Sequence, residues 1–84
     1  MGSARPLNGN EHLPDAEKLG PVIREMREER RMSPEELARL AGVDAKSVEH
    51  WEKGRRVISN SSLPRVARAL ASKPSAMWAR AEVR

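Results

Sequence analysis

Residues 32–56 read MSPEELARLAGVDAKSVEHWEKGRR, and the start and stop signals within them decide the fold. Ser33 stands where a helix N-cap stands, Pro34 takes the first helical position, and Glu36 falls three residues after the serine, as a capping box requires. Leu37, Ala38, Leu40 and Ala41 then form an apolar stripe with small members. Gly42 supplies the left-handed conformation that ends a helix. Asp44 is placed to cap a second short helix running from Ala45 to about Lys53, with Val48 and Trp51 inward and Gly54 closing it. Gly42-Val43-Asp44 leaves room only for a tight corner between the two helices, with Val43 packed beneath it.

Working outward, Leu19, Val22, Ile23 and Met26 recur at helical spacing, which predicts a helix capped by Asp15 and ending near Arg31. Pro21 is tolerated in its first turn, where a missing N–H has no partner to lose. Arg24, Glu25, Glu28 and Arg31 form the exposed face. Downstream, residues 54–62 read as a loop anchored by Val57 and Ile58. Ser61 or Ser62 is placed to cap a fourth helix carrying Leu63, Val66, Ala67 and Leu70 inward. Lys73-Pro74-Ser75 breaks the pattern before a short fifth helix with Met77 and Trp78. No alternation of strand type has useful length, so the expected fold is all-α, a compact bundle of four to five short helices. Residues 1–15, with two Pro, two Gly and two Asn, read as a flexible arm ahead of a domain over residues 16–84.

Composition narrows the function. At 84 residues the chain is one domain at most. It has no cysteine, so no disulfide or thiolate metal site, and His12 and His50 are too few and too far apart for a metal cluster. It carries no triad, P-loop or glycine-rich fingerprint, which argues against an enzyme, and no cofactor or small-molecule ligand is implied. Glu35 and Glu36 are adjacent on a helix surface, as in a cap and not a catalytic pair. Neither a membrane span nor a secretory signal is evident, the opening Met-Gly-Ser reads as a cloning remnant, and the expected location is cytoplasmic. The net charge is +4, unevenly spread: residues 1–17 sum to −2, whereas residues 18–84 hold fifteen basic and nine acidic residues, a net of +6. A basic folded segment suits a polyanion, although such an excess also serves solubility alone.

The quoted stretch, with LGPVIREMREERR before it and LPRVARAL after it, resembles the phage repressor/Cro-type helix-turn-helix family (lambda repressor-like, XRE-type) from roughly Leu19 to Leu70. The resemblance implies sequence-specific binding of double-stranded DNA by a transcriptional regulator, a repressor rather than an activator. The helix of about residues 45–53 would enter the major groove, within a motif of about residues 33–53. Ala45, Lys46, Glu49 and His50 match positions used against base edges. Lys46 suits guanine O6 and N7, Glu49 the cytosine amino group or a restraint on Lys46 or Lys53, and Ala45 a thymine methyl. Each also reads as part of a solvated helix face. Ser33, Ser47, Lys53, Arg55, Arg56 and Asn60 match positions that touch phosphate, joined by Ser59 in the loop, and Arg5 offers the arm a reach to a neighbouring groove. The family also pairs an arginine on its first helix with a glutamate ending its third; the matching residues are Arg27 and Glu52. Two departures stand out. Pro34 replaces a glutamine that in many members touches phosphate, and the loop between Gly54 and Leu63 is slightly longer than usual.

Such domains usually dimerise on a palindromic operator. Met77 and Trp78 either form the dimer patch or complete the monomer core, and a dimerising domain beyond Arg84 is the other possibility. The competing function is an antitoxin or adaptor domain acting through protein–protein contacts.

Overall fold

A computed structural model describes residues 16–83. The arm of residues 1–15, with its Asp15 cap and Arg5, lies outside the described residues, as does Arg84. A single 3-10 turn, Ala16–Lys18, leads into α1 (Leu19–Glu29), α2 (Pro34–Ala41), α3 (Ala45–Glu52), α4 (Leu63–Ala69) and α5 (Pro74–Glu82). The fold is all-α, with no strand among the described residues. α2 packs on α3 and α4, α1 on α3 and α5, and α4 on α5. All five helices contribute to one core, which includes Leu19, Ile23, Leu37, Val48, Trp51, Val66, Leu70 and Met77, with Ile58 reaching in from the loop. Among the described residues no polar or charged residue is fully buried. Burial of a side chain the size of leucine or isoleucine contributes about 1.5–3 kcal/mol, so apolar packing holds the bundle.

Four successive helices stop in the same way. Residues Arg31, Gly42, Gly54 and Ala71 adopt φ of 56°, 73°, 76° and 55°. At each, two nested hydrogen bonds satisfy the last carbonyls: Met32 N–H to Arg27 and Arg31 N–H to Glu28; Val43 N–H to Ala38 and Gly42 N–H to Arg39; Arg55 N–H to His50 and Gly54 N–H to Trp51; Ser72 N–H to Ala67 and Ala71 N–H to Arg68. Glycine takes this conformation freely, whereas Arg31 and Ala71 hold it against their own Cβ atoms. The left-handed Arg31 ends α1 at Glu29, short of the end that periodicity predicts.

Several local expectations are corrected. Ser33 Oγ does accept from Glu36 N–H at 3.0 Å, the first half of the capping box. Asp44 sits at the α3 N-cap with extended backbone, but its side chain makes no capping bond. Ser62 holds the N-cap position of α4, but its side chain makes no capping bond; Ser59 Oγ instead accepts from Ser62 N–H at 3.2 Å. Leu40 is 53 % exposed: at about 100° per residue it falls off the face that buries Leu37, Ala38 and Ala41. Val57 is exposed while Ile58 is buried, so only one of the two expected anchors holds the loop. Met77 is wholly buried and Trp78 packs partly against it and its neighbours, so both serve the monomer core.

Candidate nucleic-acid interface

The helix proposed to read DNA, α3, is held against α1 at two points. The first is Gly20, buried in the opening turn of α1: a Cβ there would overlap the carbonyl oxygen of Trp51. The two backbones touch, and only glycine permits it. Sequence reasoning passed over Gly20, although a glycine within an eleven-residue helix, unfavourable by about 1 kcal/mol against alanine, was a signal that something needed the space.

The second point is Arg27. Its Nε donates to Glu52 Oε2 at 2.8 Å and its Nη2 to Glu52 Oε1 at 2.9 Å, a two-pronged contact at the last turn of α3. Its Nη1 donates to the Met32 carbonyl at 2.7 Å, so the same guanidinium also grips the link between α1 and α2. The side chains are only 11 % and 8 % exposed. Hydrogen bonding to Glu52 raises the Arg27 pKa above the ordinary arginine value, against the opposing effect of burial. A raised folded-state pKa means that the stabilisation is complete below the ordinary arginine range and fades only as pH rises through the raised value. The clamp is therefore no switch near neutral pH.

Held in this way, α3 presents an uneven surface. Lys46 is exposed, Ser47 and Glu49 are half-buried, and Ala45 packs partly against the core. Ala45 is thus less free to meet a base than its place at the helix start suggests. His50 is also half-buried, with Nδ1 enclosed and lacking a hydrogen-bond partner, so only its Nε2 edge is left for a ligand. Glu49 and Lys53 line a hollow of about 290 Å³ with Pro34, Arg24, Arg27 and Glu52, which brings the start of α2 beside the middle of α3. Beyond α3, Lys53, Arg55 and Arg56 are exposed and consecutive around the Gly54 turn, and Asn60 is exposed in the following loop. None of these cations enters an ion pair among the described residues. Ser33 is exposed with its hydroxyl already holding Glu36 N–H. No helix of the described residues is long and apolar enough to cross a membrane, and no group of three or more potential metal ligands occurs among them.

Two short helices meeting at a glycine corner, the second fixed at its C-terminal end and flanked by unpaired cations, define a helix-turn-helix domain of the kind that binds DNA. The chain belongs to the helix-turn-helix domain family, whose model it matches over residues 18–77. Its fold is similar to that of the restriction-modification controller protein C.AhdI from Aeromonas hydrophila, with 34 % identity and a TM-score of 0.71 over 76 % of this chain and 97 % of that one. It is also similar to the clp gene regulator ClgR from C. glutamicum, with 25 % identity and a TM-score of 0.76 over 94 % of each chain. The controller protein C.Esp1396I, solved as a tetramer with its natural 35 base-pair operator, shares the fold at 22 % identity and a TM-score of 0.75, over 82 % of this chain and 91 % of that one. No curated protein is significantly similar in sequence.

Proposed function

We propose that this chain is a sequence-specific double-stranded DNA-binding regulator of transcription, acting as a repressor, with α3 in the major groove. The observation that carries the reading is the pairing of a rigidly held α3 with the unpaired cluster Lys53, Arg55 and Arg56 at its exit. Rigid placement keeps base-reading side chains in register, and cations at the helix end meet the phosphates that set that register. Membership of the helix-turn-helix family and likeness to a clp gene regulator and a restriction-modification controller protein support the regulatory role. Lys46, Glu49 and the Nε2 edge of His50 read base edges, with Ala45 contributing a methyl. Ser33, Ser47, Lys53, Arg55, Arg56 and Asn60 contact phosphate, and the operator is an inverted repeat bound by two copies.

Selection of bound sites from a random duplex library at moderate salt tests this. An enriched inverted repeat is the expected result. A lone half-site would remove the dimer, and absence of both enrichment and salt-sensitive binding would remove the DNA reading itself. Repeating the selection with variants separates the roles. Lys46→Ala is expected to change the recovered bases, whereas Arg56→Ala weakens all duplexes alike and flattens the salt slope by about one unit. Equal effects from both would undo the division between base and phosphate contacts.

A further inference from the structure

A second basic surface lies away from α3, in the groove between α2 and α4. Leu40, Ala41 and Pro64 form its floor, Arg39, Arg65 and Arg68 its rim, and it encloses about 400 Å³. Leu40 is one of three large apolar side chains left exposed among the described residues. The three arginines are exposed, and none enters an ion pair among the described residues. Arg65 reaches the Gly42 carbonyl, at 3.4 Å. Glu35 and Glu36 stand one helical turn before Arg39 on α2, yet neither pairs with it among the described residues. The groove thus sets an apolar floor beside three guanidinium groups that form no ion pair among the described residues.

Its chemistry differs from that of the proposed DNA face. Lys53, Arg55 and Arg56 surround no exposed large apolar side chain except Val57, which follows them in the loop. Duplex phosphates would leave the Leu40–Pro64 floor unused.

We infer that the groove docks an acidic segment of another protein. An apolar side chain of that segment seats on Leu40 and Pro64, and flanking carboxylates meet Arg39, Arg65 and Arg68. Arginine forks suit carboxylates in two-pronged contacts, and arginine is among the residues enriched at the energetic centres of interfaces. The volume lies toward the small end of the range for ligand pockets, roughly 300–1,000 Å³, which suits one anchor and its neighbours.

The test measures anisotropy of a short dye-labelled peptide, glutamates flanking two central leucines, titrated with the 84-residue chain. A random-sequence duplex at low salt is measured in parallel. Leu40→Ser and Arg68→Glu are each expected to weaken peptide binding about tenfold or more and to keep duplex binding. Arg56→Glu should do the reverse. Circular dichroism confirms that these exposed-site variants remain folded. Failure of the peptide to bind at millimolar concentration would overturn the inference. So would equal losses from Arg56→Glu and Arg68→Glu, which would mean undirected attraction to a basic protein. Loss of duplex binding in the groove variants, with peptide binding unchanged, would assign the groove to the DNA interface instead.

Discussion

Two arginines tie other helices to α1, and they do so under opposite conditions. Arg27 holds α3 through Glu52, with both side chains nearly out of solvent and every prong of the guanidinium engaged. Arg80 holds α5 through Glu25 and Glu29, at 3.1 and 2.9 Å, but is itself 36 % exposed. Hydrogen bonding to Glu29 first, and to Glu25, raises the Arg80 pKa as Glu52 raises that of Arg27; what differs is the surrounding water. The corners follow the same division. α2 and α3 end on glycines, whereas α1 and α4 end on Arg31 and Ala71 in the conformation glycine prefers. Solvent is kept out of the pair that sets α3 and admitted to the pair that docks α5, while the left-handed strain falls at the ends of α1 and α4.

The comparison breaks most readily at Arg27. Arg27→Ala should destabilise the fold by about 3–5 kcal/mol in urea unfolding, because it strands a nearly buried Glu52 carboxylate. Replacing both partners with methionine should cost far less, which would locate the penalty in the stranded charge. A loss no larger than that from Arg80→Ala would erase the distinction between the two sites. Gly20→Ala should cost about 1–3 kcal/mol through overpacking against the Trp51 carbonyl, measured in the same way. A null result there would mean that α1 can draw back from Trp51 without cost, leaving the ion pair as the tighter of its two links to α3. Arg80→Ala should cost less than about 1 kcal/mol, and the difference should shrink in high salt. A salt-insensitive loss would mean that Arg80 acts through packing of its stem. Smallest, and opposite in sign, Ala71→Gly should raise the unfolding midpoint, worth about 0.5–1 kcal/mol as the left-handed residue is relieved of its Cβ. No gain would show that α4 ends without strain.

Much of the fold is legible in the sequence because its punctuation is strong and local. Ser33, Pro34, Gly42 and Gly54 each act on a backbone bond within a few residues of themselves, and all occupy the cap or corner position they suggest. The errors occur where a third element decides. Leu40 reads as part of an apolar stripe, but α4 covers only one side of α2. Asp44 and the serines at 59–62 offer several local bonds of similar strength, and neighbouring geometry selects among them. Arg31 has no glycine to announce its turn. On the proposed reading face, Lys46 and the cations after α3 are exposed as their charge requires. The partial burial of Ala45 and His50 depends on how closely α3 sits against its neighbours, a distance that periodicity does not encode.

The third bond of Arg27, to the Met32 carbonyl, has an evolutionary consequence. One guanidinium measures both the position of α3 and the length of the chain joining α1 to α2, so a residue added or lost at 30–33 would pull its prongs apart. Among the described residues no comparable gauge spans the chain from Val57 to Ser59: Arg55 and Arg56 N–H both bond the His50 carbonyl, and beyond them the loop is anchored by Ile58. Insertions and deletions among descendants of this fold should therefore accumulate after α3 and spare the link before α2. The segment free to drift in length begins just behind Arg55 and Arg56, so the distance from those cations to Asn60 and α4 can diversify without disturbing the helix they flank.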